Sequence, residues 1–506
     1  MTTQKPSLQQ TTPFANTSVD LELILDEPPH IVNVDDFLAE NDSVRALYFW
    51  LTEYCPDVKP QTTEHIKALI QQSIAYIDHQ INDLLNEIIH HPKMQKLEAS
   101  WRCLWHLIED ADGTKNVKIK FLDMTWAEVS KDIARAMEFD QSQLFQKIYS
   151  EEYGSPGGEP YGVLIGDYEI RHIPSKTHRF NDVETLEGLS QIAAASFSPF
   201  IAGASCELLG LDSYTDLGQP INFKNIFKQT EYIKWNAIRD RADSRFIGLA
   251  MPRFLVRTPY TSVNHHYKGI FFKEKVEANH HEHYLWGNAC YAFASILIRE
   301  FDSVGWFGHI RGVPRDQLGG GLLTNMCLDY YRTDSSHISA KPITETVITD
   351  HVEKELSDLG LMPLCQCYDV PFAAFYNNQS LQRPKEYKDK NTQVNARLTA
   401  MLQHVLCGSR IAHYIKVMFR DKVGSFLSAS ECESYLRKWL FKYTTGREDL
   451  NWEEQARFPL RRAAVNVQEH PQKPGQYACV IHIVPHYQID QMVSELELVT
   501  ELTQAK

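Results

Sequence analysis

The 506-residue sequence contains no run of 18 or more apolar residues, and a helix crossing the ~30 Å hydrocarbon layer of a membrane needs about 20 of them. No transmembrane helix and no membrane insertion are expected. The opening MTTQKPSLQQTTPFANTSVD has no basic start followed by an apolar stretch, so no secretory leader is expected either. The ten cysteines include no C-x-x-C pair and only one C-x-C, at Cys365 and Cys367. Scattered along a long chain, they read as buried thiols rather than as a disulfide frame or a zinc site, which suits the cytoplasm. Basic residues are scarce too, with 51 Lys and Arg against 65 Asp and Glu and a net charge of -14. Non-specific nucleic-acid binding needs basic side chains to displace phosphate counterions, so nucleic acid is not an expected partner.

Signatures of catalysis are equally thin. The glycine-rich Tyr153 to Gly162 (YGSPGGEPYG) lacks the G-x-x-x-x-G-K-[ST] spacing of a phosphate loop, and its two prolines remove backbone donors. A structural turn is expected there. Gly203 to Glu207 resembles half of a nucleophile elbow around Ser205 and Cys206, but Glu207 stands where the sharp turn needs a second glycine. His265, His266, His280, His281, Glu282 and His283 form the densest set of metal-ligand types, yet none has the H-E-x-x-H spacing, and a solvated loop is expected. The alternative class, a hydrolase using Ser205 or a His-rich metal site, rests on those residues. The reading is that the chain is not an enzyme, with no catalytic, cofactor-binding or metal site. Glu151-Glu152 and Glu453-Glu454 read as solvated faces, and Trp101, Trp105, Trp286 and Trp306 as core anchors.

What is present is apolar residue in quantity, at 43% with 11% aromatics, enough for several cores of ~150 residues each. Residues 1–62 read as a partly disordered or partner-ordered arm, with Pro13, Pro28 and Pro29 around a short apolar run at Leu21 to Leu25. From Thr63, Ile70, Ile74, Ile77, Ile81, Leu84 and Ile88 recur at spacings of 4, 3, 4, 3 and 4, a heptad-like stripe on a long helix. The stripe packs on its own domain or makes a seam with another subunit, for which Ile70, Ile77, Ile81 and Leu84 are candidates. Pro92 breaks this helix, and Met94, Leu97, Trp101, Leu104, Trp105 and Ile108 mark a second, giving a helical hairpin over 63–112.

Further on, strands are expected at Val117 to Leu122, Tyr161 to Ile165, Phe246 to Arg257 and Pro371 to Tyr376. Helices are expected at Trp126 to Glu138, Thr185 to Ser196, Tyr284 to Phe301 and Glu353 to Leu359. This mixture predicts a multi-domain α+β (mixed α/β) protein, with an outer or middle domain over 63–385 and a C-terminal domain over 386–506. The C-terminal domain opens with a helix from Thr392 to Phe419, then another from Ser428 to Tyr443 with Ser428 and Glu431 at capping-box spacing. Three strands follow, at Ala463 to Gln468, Tyr477 to Val484 and Met492 to Leu502. A strand near a chain end has neighbours on one side only, and its open N–H and C=O groups invite another chain. The inter-subunit candidates are Val480, Ile481, Ile483, Ser494, Leu496, Leu498 and Val499.

Longer words make the reading specific: IIHHPKMQKLEASWRCLWHLI (88–108), IYSEEYGSPGGEPYGVLIGDY (148–168), IAAASFSPFIAGAS (192–205), DSRFIGLAMPRFLVRTPY (243–260), GWFGHIRGV (305–313), NARLTAMLQHVLCGSRIAHYIKVMFRDKVGSF (395–426) and PHYQIDQMVSELELV (485–499). In these stretches the chain resembles the large subunit of the type VI secretion contractile sheath, the TssC/VipB family. The resemblance implies a phage-tail-sheath-like protein of the bacterial cytoplasm. It implies pairing with a small sheath subunit (TssB/VipA-like) and self-assembly into a helical polymer around an inner tube of hexamers, mounted on a baseplate. Contraction would propel the tube and its effectors from the cell. A static tail-like filament on the same fold shares every one of these features. The family often carries an N-terminal helix grasped by a disassembly ATPase, and residues 1–60 depart from that pattern, with no good amphipathic helix before Val34 to Leu38 or Ser43 to Tyr54. For contact with the inner tube, Glu431, Glu433, Arg437 and Lys438 offer charges at helical spacing.

Overall fold

The computed structural model describes residues 34–54, 62–155, 157–176, 178–261, 269–276, 281–314, 318–331, 340–368, 370–421, 429–447, 452–469 and 477–485. The chain divides into two compact units, one drawn from residues up to His91 together with Tyr260–Lys275, the other from Pro92–Pro259 and from Val276 onward. Helices of nine residues or more are α1 (Ser43–Tyr54), α2 (Thr63–Ile89), α3 (Pro92–Ala111), α4 (Trp126–Arg135), α5 (Asp182–Ser196), α6 (Ala289–Val304), α7 (Asp350–Asp358), α8 (Lys390–Thr399), α9 (Leu402–Asp421) and α10 (Ala429–Phe441).

In the first unit, the Thr62 side chain accepts from His65 N and so caps α2, whose first turns pack Ile66, Leu69 and Ile70 against Leu47 and Leu51 of α1. Farther along, α2 grips the extended segment 271–275 with side-chain amides. Asn82 Nδ2 donates to Phe271 O at 2.7 Å, and Asn82 Oδ1 accepts from Lys273 N at 2.8 Å. Asn86, one turn on, repeats the pattern with Lys273 O at 3.4 Å and Lys275 N at 2.8 Å. The two amides thereby do for this segment what a neighbouring strand does in a ladder.

The second unit is built on a six-stranded sheet in the order β1-β2-β3-β7-β8-β6, namely β1 (Leu164–Ile170), β2 (Phe200–Ala204), β3 (Ile247–Met251), β7 (Met362–Gln366), β8 (Ala373–Phe375) and β6 (Leu322–Leu323). The first four run parallel, and β8 and β6 pair antiparallel. Strand residues alternate between two cores. Phe200, Ala202, Ala204, Ile247, Leu249 and Met251 face one core with α4, α5 and α7. Ile201, Ala250, Met362 and Leu364 face another with α6 and the start of α9. The sheet is therefore the middle layer of three, and its inner strands are apolar throughout because both faces are covered. A short ribbon, β4 (Phe254–Arg257) with β5 (Leu285–Gly287), lies outside this sheet.

Several expectations are corrected. Val117 to Leu122 is not a strand: Lys118 pairs with Glu159 and Lys120 with Glu152, while Ile119, Phe121 and Leu122 lie exposed. Phe246 to Arg257 is two strands, and Thr392 to Phe419 is two helices broken at Ala400 and Met401, where Met401 bridges to Gln379. The stretch from Tyr284 begins as β5 and becomes helical only after Asn288, whose Oδ1 accepts from Cys290 N at 3.1 Å and caps α6. Cys103, Cys206, Cys290, Cys327, Cys365, Cys367, Cys407 and Cys432 are free.

Candidate assembly interface

β9 (Leu460–Glu469) and β10 (Tyr477–Pro485) form an antiparallel pair in which Cys479 faces Val467, Val480 faces Asn466 and Ile481 faces Val465. Alternation along β9 points Val465 and Val467 into a core with Ile411 and Ile415 of α9, Cys432, Leu436 and Leu440 of α10, and Trp306. Ile481 and Ile483 pack against the same core, while Val480, 52% exposed, lies on the outer face. Among the described residues no third strand joins this pair; a single bridge links Thr444 to Leu460 at the start of β9. At the start of β9, Leu460 N donates to Tyr443 O at 3.3 Å and Leu460 O accepts from Thr445 N at 2.9 Å, so the candidate edge for another strand lies beyond this point. The structure brings Val480, Ile481 and Ile483 together on β10, whereas Ser494, Leu496, Leu498 and Val499, with the third expected strand, lie outside the described residues.

The charged candidates sit on α10, which turns Cys432, Leu436 and Leu440 inward. Glu431, Arg437 and Lys438 are exposed, and Arg437 pairs with the half-buried Glu433 one turn back. Ser428, expected to cap this helix, lies outside the described residues.

On α2, Ile70 joins the small core with α1, Ile81 is half-buried, and Ile77 and Leu84 are exposed, Leu84 at 61%. On α3, Ala99, Cys103 and Leu107 are buried, so the bulkier Leu97, Trp101 and Trp105 fall on the open side. Trp101 and Trp105, 59% and 63% exposed, are therefore not core anchors, whereas Trp306 is. The exposed Ile77 and Leu84 of α2, and Leu97, Trp101 and Trp105 of α3, are thus candidate contact residues.

The residues weighed for chemistry have structural duties. Ser205 is buried, and its Oγ accepts from Glu207 N at the start of a 3-10 turn. Burial pushes the Cys206 thiol up, away from the thiolate that nucleophilic attack requires. Near the C-terminal ends of the parallel strands, where α/β sheets commonly hold ligands, Arg253 makes a two-pronged ion pair with Glu345 at 2.8 and 3.0 Å and lies over the Tyr214 ring. Arg171 is paired with Glu207 at 3.1 Å. His281, Glu282 and His283 form a 3-10 turn, while His265, His266 and His280 lie outside the described residues. Among the described residues, no group of three His, Cys, Asp or Glu is placed to hold a metal, and no helix is long and apolar enough to cross a membrane.

Comparison with known proteins decides the family. Residues 71–382 match the EvpB/VC_A0108 tail sheath N-terminal domain, and residues 391–502 match the EvpB/VC_A0108 tail sheath gpW/gp25-like domain. The chain belongs to the family of type VI secretion sheath large subunits. It is 37% identical over 440 residues, 86% of each chain, to the type VI secretion system sheath protein TssC1 of Pseudomonas aeruginosa. A chain of the anti-feeding prophage baseplate aligns with 74% of this chain and 80% of its own, at 9% identity and a TM-score of 0.34. Membership identifies a sheath subunit, and the β9–β10 pair lies inside the second matched domain.

Proposed function

We propose that this chain polymerises with a small sheath subunit into a helical tube around an inner tube in the bacterial cytoplasm, and that contraction of the tube drives the inner tube and its effectors outward. The observation that carries this reading is the two-stranded β9–β10 sheet, covered on one face by α9 and α10 and joined by no third strand among the described residues. Helices support one face of this pair, and strands from neighbouring subunits complete its edge by adding ladder hydrogen bonds. Val480, Ile481 and Ile483 sit in that inter-subunit sheet, and Ser494, Leu496, Leu498 and Val499 extend it. An arm over 1–62 and a domain over 63–385 precede the sheath core of 386–506. The boundary falls between the two matched family domains.

The exposed row of α2, with Ile77 and Leu84, forms a helical seam with the small subunit, and Arg437 and Lys438 of α10 face the inner tube. Work comes from repacking of subunits, with the shared sheet keeping the lattice connected, so the chain itself hydrolyses nothing. Electron microscopy of the chain produced with and without the small sheath subunit tests the reading. Hollow ribbed tubes only on co-production are expected, and discrete particles in both preparations would contradict it.

A further inference from the structure

Helix α9 enters two cores. Leu402, Leu406 and Cys407, on its first turns, are buried in the core that backs the central sheet. Ile411 and Ile415, farther along, are buried in the core beneath β9 and β10. Close packing in the two cores fixes which face of the helix turns inward, and directional contacts add to that. They come from a row of cationic and imidazole side chains at Arg410, His413, Lys416 and Arg420, spaced 3, 3 and 4 residues apart and hence on one face.

Each member of this row engages a ring or a carbonyl. The Arg410 guanidinium lies 5.2 Å from the Phe301 ring centroid and 4.5 Å from that of Tyr414. His413 Nε2 donates to Ser196 O at 3.1 Å, the same oxygen that accepts from Tyr153 OH at 2.8 Å. Burial lowers the His413 pKa to about 4, so the ring is neutral. Lys416 Nζ sits 4.9, 4.8 and 4.6 Å from the ring centroids of Tyr149, Tyr153 and Phe197, an aromatic cage of the kind that holds ammonium groups. No carboxylate among the described residues pairs with Lys416. Phe197 completes the cage from a left-handed φ of 55° at the end of α5, a conformation aromatic residues seldom adopt.

One turn beyond, Arg420 Nη1 donates to Glu152 O, Ser155 O and Gly158 O at 3.2, 3.2 and 3.1 Å. These carbonyls come from the C-terminal end of the short helix Glu151–Gly154 and from the loop after it, where helix polarity favours a cation. The loop closes only with glycine at 158, since a Cβ there would stand 2.2 Å from Glu152 O. The glycine-rich YGSPGGEPYG stretch therefore offers carbonyls to a cation, the reverse polarity of a phosphate-binding loop.

We propose that the row ending in Lys416 and Arg420 is a latch that keys α9 to Tyr149, Tyr153, Phe197 and the 152–158 loop, so that load applied at β9–β10 reaches the central sheet without α9 turning or sliding. The source of the load rests on the proposed sheath role, whereas the latch is a property of the single chain. Hydrogen exchange on the full-length chain in solution therefore tests it separately. Lys416→Met removes the cation at nearly constant length, and Lys416→Arg keeps it. The latch predicts that amides of residues 149–154 and 417–420 exchange about tenfold faster or more in Lys416→Met, with β2 and β3 unchanged, and as in the wild type in Lys416→Arg. Wild-type exchange in a folded Lys416→Met chain overturns it, and so does equal loosening by Lys416→Arg. Should Lys416→Met fail to fold, Arg420→Gln carries the test: faster exchange confined to 151–158 and the end of α9 is expected, and unchanged exchange there overturns the latch. Failure of the wild-type chain to form tubes would instead count against the sheath role and leave these exchange results standing.

Discussion

The central sheet and the β9–β10 pair differ in how far the chain itself completes them. β2 (FIAGA) and β3 (IGLAM) are buried at every residue, each with a strand on both sides and helices on both faces. β9 (LRRAAVNVQE) alternates, buries Val465 and Val467 against α9 and α10, pairs along one edge with β10, and exposes Arg462, Ala464 and Asn466 on its other face. Continuous apolar sequence fits a strand enclosed on both faces, and alternation fits one with a wet side. The first region is finished within one chain, and the second is where the proposed association would add hydrogen bonds and buried surface.

Substitutions at the two regions should separate folding from assembly. Ile201→Asp, fully buried on β2, strands a charge between layers and should cost more than about 4 kcal/mol, seen as loss of soluble folded chain. Leu249→Ala on β3 should cost about 2–5 kcal/mol in thermal unfolding, and a loss under about 1 kcal/mol would contradict the packed middle layer.

A pH effect follows from Glu300 on α6, whose buried Oε1 has no hydrogen-bond partner and whose pKa is raised by burial to about 7 from an ordinary 4.5. The native state holds this proton more tightly than the unfolded chain, so stability from this group is full below about pH 4.5 and is lost as pH rises toward 7. Glu300→Gln should stabilise the chain at pH 8 by roughly 1–3 kcal/mol, with the gain absent at pH 4.5. A gain equal at both pH values would place the carboxyl in water. At the open region, Val480→Lys should shift stability by under about 0.5 kcal/mol while preventing polymer formation, because lysine on an edge strand blocks pairing. The smallest effect on folding is expected from Arg437→Glu with Lys438→Glu, visible only as loss of assembly around the inner tube; tubes that form normally would remove α10 from that contact.

The long helices were legible because α2 and α3 carry apolar residues at helical spacing and Pro92 divides them. Which face of α3 is buried was not legible, since two tryptophans outweigh Ala99, Cys103 and Leu107 in a hydrophobicity count although the smaller residues allow closer packing. Val117 to Leu122 misled because alternation also arises where lysines pair locally and the apolar residues stay exposed. The amide grip of Asn82 and Asn86 on segment 271–275 joins residues nearly 190 positions apart and has no local signature. At the candidate interface, the alternation of β9 and the apolar run of β10 are legible as strands; elsewhere, Asn288 after Trp286-Gly287 is the capping residue at which α6 starts. The cradle around Arg420 has no local signature, because its carbonyls lie more than 260 positions away in sequence.

The most direct test of the account is amide hydrogen exchange along Tyr477–Pro485, compared between the unassembled chain and the polymer formed with the small sheath subunit. Strand pairing between subunits predicts that the β10 amides left unbonded by β9 slow by about a hundredfold or more on assembly. Unchanged exchange of those amides inside intact tubes would contradict the account, because the polymer would then be held together elsewhere.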